Sequence, residues 1–249
     1  MSKQGFTLIE LSLSLVFIGV LSITAVLIIN NTVLAYRRGL TLKEVNDTGM
    51  ELVRNMRAAI QGSSYAIYDD EGRSNWTTSF RHESDVEING VTQSVPLYGG
   101  FCTGKYSYIW KSGYLSNDNN TVKINGNKEF RLVRIKDSKD KPNKTACDQY
   151  AASDGAQAEF SSDDEYDELL PEGSNLAIYD LYVPTPAVGG AAMTAYYTVS
   201  FILGTIGGGI NIMAQGDYCA PPEGSNSNFN YCAINKFNFA AQAGGLYGK

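Results

Sequence analysis

The sequence predicts an α+β protein in which one long N-terminal helix, half transmembrane and half amphipathic, is packed on an antiparallel β-sheet head. Three observations predict it. Residues 6–29 are almost wholly apolar, residues 45–60 carry apolar side chains on one helical face, and after Gln61 the apolar pattern changes to short β-like runs separated by turn residues.

The helix comes first in the chain. At about 1.5 Å per residue the apolar run covers roughly 36 Å, enough to cross a bilayer core of about 30 Å. Only Met1-Ser2-Lys3-Gln4-Gly5 precedes it, and no A-x-A pattern stands where it ends, so an ordinary secretory signal fits poorly. Glu10 is the exception within the run. An acid inside a spanning helix costs on the order of 2.5–3.5 kcal/mol at the centre and less near an end, so it should have a partner. No Pro occurs before Pro96 and no Gly between Gly19 and Gly39, so the helix is expected to continue past the membrane, with Gly19 its one soft spot. Further on, Val45, Leu52, Val53, Met56, Ala59 and Ile60 share one face, while Lys43, Asp47, Arg54 and Arg57 lie opposite. That half must rest on something folded. Gln61-Gly62-Ser63-Ser64 stops a helix that, from about Thr7, is roughly 80 Å long.

The head follows. The clearest strands are 106–110, 129–135, 176–183 and 195–203, with weaker ones at 210–214 and 234–240. Turn-forming residues 117–120, framed by Leu115 and Val122, and Asn125-Gly126-Asn127 lie between them, as antiparallel hairpins require. The apolar stripe of residues 45–60 is the natural partner for the buried face of the sheet.

With 26 acidic against 20 basic residues, net charge −6 and no basic stripe, nucleic acid is not expected as a partner. Cys102, Cys147, Cys219 and Cys232 form no C-x-x-C pair, which speaks against zinc. An even count behind an apolar N-terminus suggests disulfides outside the cytoplasm, four buried thiols being the other reading. The acidic run 163–168 has the ligand chemistry of calcium but not the D-x-[DN]-x-[DN]-G spacing, and reads as a solvated acidic loop. No metal or cofactor is expected. His82 is the sole histidine, and G-x-S-x-G, P-loop and H-E-x-x-H signatures are missing, so the chain reads as no enzyme. A membrane-tethered enzyme with a carboxylate pair is the distant alternative.

The stretch Gly5-Phe6-Thr7-Leu8-Ile9-Glu10, with a basic residue in a short leader and a long apolar run behind it, resembles the processing site of type IV prepilins and of type II secretion pseudopilins. The resemblance implies a leader of residues 1–5, a transmembrane and assembly half at 6–30, an amphipathic half at 31–61 and an extracytoplasmic β-rich head at 62–249. It implies cleavage by a prepilin peptidase after Gly5, N-methylation of Phe6, and pairing of Glu10 with the new Phe6 amine of a neighbouring subunit. It also implies docking on an inner-membrane assembly platform, contact with other pilin subunits through the helix, and contact with membrane lipid before assembly. A single-pass membrane form with an extracytoplasmic head would then pass into an extracellular pilus. The polar segment between Cys219 and Cys232 is similar to the cysteine-bounded loop of pilin heads. Among the three pairings that four cysteines allow, Cys219–Cys232 with Cys102–Cys147 is the one expected. Two features depart from the family pattern: the apolar run lacks proline, and Arg37-Arg38 after the span outweigh Lys3 before it, against the positive-inside rule. A large head and the presence of Glu10 point to a minor or tip-proximal pilin, with a major pilin, or a pseudopilin of a secretion or DNA-uptake system, as alternatives.

Overall fold

The computed structural model describes residues 7–63, 79–88, 91–103, 105–113, 123–124, 128–137, 146–147, 150, 159–160, 165–171, 173–184, 187–189, 194–206, 213–214, 218–219 and 232–243. Helix α1, Leu8–Gln61, runs unbroken through Gly19 and Gly39 for 54 residues, about 80 Å. It ends where Gln61-Gly62-Ser63 was read as a stop. The Gly62 N–H donates to the Ala58 carbonyl, and the Ser63 hydroxyl donates to the Ile60 carbonyl at 2.7 Å.

Thirteen strands follow among the described residues. The first sheet contains β1 (Ser79–Ile88), β2 (Val91–Cys102), β3 (Tyr106–Lys111), β4 (Lys123–Ile124), β5 (Lys128–Lys136), β6 (Glu159–Phe160) and β7 (Tyr166–Pro171). Its order is β1-β2-β3-β5-β4-β6, with β7 also paired to β5. The β4–β6 pair is parallel and the others antiparallel. The second sheet has β13 (Ile234–Ala243), β10 (Thr194–Thr205) and β8 (Leu176–Tyr182) in that order, with β9 (Ala187–Gly189) also on β10. A short ribbon joins β11 (Met213–Ala214) to β12 (Tyr218–Cys219). A parallel bridge from Ser112 to Ile178 links the end of β3 to β8, where the two sheets meet.

The α+β class is as the sequence predicts, and the strands at 106–110, 129–135, 176–183, 195–203 and 234–240 correspond to β3, β5, β8, β10 and β13. Within 210–214 only Met213–Ala214 is described. The turn 117–120 lies outside the described residues. One sheet was expected; the expected strands instead divide between two, β3 and β5 in the first and β8, β10 and β13 in the second, while β1, β2 and β7 extend the first. Of the acidic run 163–168, expected as a solvated loop, residues 163–164 lie outside the described residues and 166–168 lie in β7 instead of a loop; its exposed carboxylates Asp167 and Glu165 pair with Arg134 and Lys136 of β5.

The main core lies between the helix and both sheets. All six apolar stripe residues are buried there with Gly49, against Phe101, Tyr108, Trp110, Leu132 and Leu170 of the first sheet and Tyr197, Val199, Phe201, Phe237 and Phe239 of the second. Strand β13 alternates cleanly, burying Phe237, Phe239, Ala241 and Ala243 and exposing the residues between. Strand β3 does not alternate. Tyr108 and Trp110 face the helix while Ile109 enters a second cluster with Tyr98, Phe130, Val133, Ile135, Ala146 and Tyr150, so the first sheet is buried on both sides.

What covers that outer side is held by a disulfide. Cys147 bonds Cys102 at the end of β2, with Cα atoms 6.1 Å apart and a sequence separation of 45 positions. Tyr150, fully buried, meets Phe80 edge-on at 5.5 Å and Tyr98 at a tilt at 5.3 Å. Burying its ring stabilises by about 2–3 kcal/mol. In the chain-entropy model the cross-link supplies about 4 kcal/mol.

Candidate assembly and membrane-anchoring site

Residues 8–40 are all exposed, and burial against the head begins in earnest at Val45. Among the described residues α1 is the helix long and apolar enough to cross a membrane, with its apolar window wholly unburied. Glu10 precedes and Asn30-Asn31 follow the stretch 11–29, which at 1.5 Å per residue is about 28 Å long and matches a hydrocarbon core of about 30 Å. Both polar groups then fall at its two edges. Hydroxyls along this helix donate back to the preceding turn, Ser12 to the Ile9 carbonyl, Ser14 to that of Glu10, Thr24 to that of Leu21 and Thr32 to that of Ile28, at 2.8–2.9 Å. They therefore carry no unmet donor into an apolar surrounding.

Glu10 has a partner within its own chain. Its carboxylate accepts from the Thr7 backbone N–H at 2.9 Å and from the Thr7 hydroxyl at 2.8 Å, which satisfies a free N–H at the helix start and places negative charge at the positive end of the helix dipole. Thr7 is the residue that sequence reasoning missed. The signal was present, because Thr7-Leu8-Ile9-Glu10 is the S/T-x-x-E spacing of a capping box. Gly5 and Phe6, the expected cleavage pair, lie outside the described residues.

The head contributes the disulfides. Cys102–Cys147 is formed as expected, and Cys232 is disulfide-bonded as well. The Cys219 side chain and residues 220–231 lie outside the described residues. His82 is exposed on β1, its ring stacked 4.8 Å from that of Tyr98. Its neighbour Arg81 pairs with Glu83 and, at 3.1 Å, with Asp180, while lying 5.6 Å from the centroid of the Tyr182 ring. Among the described residues no group of three or more His, Cys, Asp or Glu side chains is placed to hold a metal.

The arrangement is thus an apolar rod with a capped acid at its tip and a disulfide-bonded head at its far end, consistent with single-pass anchoring through the N-terminal helix and compatible with a pilin-like fold. Comparison with family models, curated proteins and solved structures finds no match to this chain.

Proposed function

We propose that the chain is the precursor of a structural subunit of a type IV pilus or pilus-like filament, a minor or tip-proximal one, cut after Gly5 and assembled through its N-terminal helix. The observation that carries the reading is the division of α1: residues 8–40 bury nothing in their own chain, end in a single acid, and continue without a break into a half that is built into the head. An anchor alone needs neither the acid nor the unbroken helix. In the filament Glu10 would exchange its Thr7 contacts for the methylated Phe6 amine of a neighbour. Desolvation offsets much of that attraction, so its main effect is to fix axial register.

Mass spectrometry of the membrane form should give methylated Phe6 as the N-terminus; an intact Met1 or a cut beyond Ile29 contradicts the reading. Glu10→Ala should be processed normally and keep its head folded, while its share of sheared filaments falls by about tenfold or more, equivalent to roughly 1.4 kcal/mol of lost docking free energy. Wild-type incorporation of processed Glu10→Ala protein would remove the assembly role. Counting the wild-type chain against the other subunits in those filaments separates a minor from a major subunit.

A further inference from the structure

The main core and the outer cluster of the head share no side chain. The main core contains the helix and both sheets, whereas the outer cluster combines strand residues already anchored through that core with Ala146 and Tyr150. Tyr98, Ile109, Val133 and Ile135 sit on strands whose opposite faces bury Phe101, Tyr108, Trp110 and Leu132. The first sheet therefore has its own support whether or not its outer side is covered.

The covering residues have a polar dock beside the cross-link. Asp137 accepts the Ala146 N–H at 2.9 Å through one carboxylate oxygen and the Ser107 hydroxyl at 2.7 Å through the other, and Ser107 Oγ accepts the Cys147 N–H at 3.2 Å. Ser107 is the cross-strand neighbour of Cys102. The dock thus sets the backbone of Cys147 directly against the residue it must bond. Both cysteines are buried once joined, Cys147 at 0% and Cys102 at 4% exposure, so a reductant reaches the bond only through a local opening of the structure around it.

We propose that Cys102–Cys147 is the latch of a separable outer layer, templated by Asp137 and Ser107: the helix-bearing core folds with these thiols reduced, and Ala146, Cys147 and Tyr150, which dock only transiently before then, stay seated once the bond closes. Closure is thiol–disulfide exchange with an external disulfide as oxidant. One Cys thiolate attacks a sulfur of that disulfide and expels its first thiolate. The second Cys thiolate then attacks the mixed disulfide and expels the other, so the two cysteines lose two electrons and two protons and the donor disulfide becomes two thiols. This inference does not rest on the filament role.

Hydrogen exchange on the full-length chain in detergent tests it, comparing wild type with the Cys102→Ser/Cys147→Ser double variant so that the disulfide of Cys232 stays intact. The segment containing Ala146, Cys147 and Tyr150 should lose protection by about a hundredfold or more, bounded by the roughly thousandfold that closing such a loop supplies, while the strand segments containing Ile109, Val133 and Ile135 keep theirs. Segments containing Val45–Ile60, Val199–Leu203 and Phe237–Phe239 should stay within about threefold. Unchanged protection at Tyr150 would show that the covering residues hold themselves, and loss across both cores would show that the layers are not separable; either overturns the proposal. In a second measurement, Asp137→Ala should slow re-formation of Cys102–Cys147 from reduced protein by about tenfold, read by peptide mapping, while the disulfide of Cys232 re-forms at the wild-type rate. Equal rates for Cys102–Cys147 would remove the templating role.

Discussion

Tyr108 occupies the seam between helix and first sheet, its ring in the main core and its hydroxyl donating to Asn55 Oδ1 at 2.8 Å. Arg134 donates to the same oxygen at 3.2 Å and pairs outward with Asp167, so the seam ends in a polar rim. Burial pushes the Tyr108 phenol far above its usual range, although the adjacent Arg134 charge acts the other way; burial does the same to Tyr197. An unfolded tyrosine loses its proton near pH 10, so above that pH the unfolded chain ionises while the folded one keeps both protons. The stabilisation is complete below about pH 10 and is lost as pH rises toward the folded values. Melting temperature should therefore fall between pH 9 and pH 11. Tyr108→Phe should lower it at pH 9, through about 1 kcal/mol of lost hydrogen bonding, yet show a smaller further fall at pH 11. A wild-type melting temperature that is flat over this range would contradict the account. The sequence marked Tyr108 as a strand residue but held no sign of Asn55, because partners 53 residues apart meet only when helix and sheet dock.

At the scale of elements, the helix comes close enough to β13 that one position tolerates only a hydrogen atom. A Cβ on Gly49 would stand 2.0 Å from Phe237 Cζ, and Phe237 is itself stacked on its cross-strand neighbour Phe201 with centroids 5.0 Å apart. Gly49→Ala would gain about 1 kcal/mol of helix propensity but lose about 1–3 kcal/mol to overpacking. Gly49→Val should destabilise further, because its branch points into the same ring. Chemical denaturation should show net loss for both, with part of the Gly49→Ala loss restored by Phe237→Leu; additive losses in the double variant would place the clash elsewhere. The stripe on α1 was legible because its period is local to the helix. The glycine within it was not, since the contact that selects it belongs to residue 237. The β1–β2 hairpin was legible in one respect that was overlooked: Asn89-Gly90 separates Ile88 from Val91, which are register partners, and that dipeptide favours a tight hairpin. Its strands are charged, Arg81, His82, Glu83 and Asp85 among them, and so lack the apolar run by which strands are usually recognised.

On the scale of the whole molecule, the exposed half of α1 lends the head no buried surface. A chain beginning at Arg37 should therefore be soluble without detergent and monomeric by light scattering. Its melting temperature should lie within about 3 °C of that of the full chain in detergent, as expected for changes worth under about 0.5 kcal/mol. A markedly lower melting temperature would show that residues 8–36 are part of the folded head.

The helix, its length, its two halves and the acid at its tip follow from residues 6–61 by themselves, because spacing along a helix fixes which side chains share a face and a run of apolar residues fixes what can cross a bilayer. The Thr7–Glu10 cap was equally local. What only the tertiary structure decided lies in the head: that the strands divide into two sheets, that part of the acidic stretch becomes a strand facing Arg134 and Lys136, and that an apolar cluster containing Ala146 and Tyr150 lies on the outer side of the first sheet. Each of these depends on which distant strands pair, and strand pairing is settled by packing on both faces of a sheet rather than by any period within one segment.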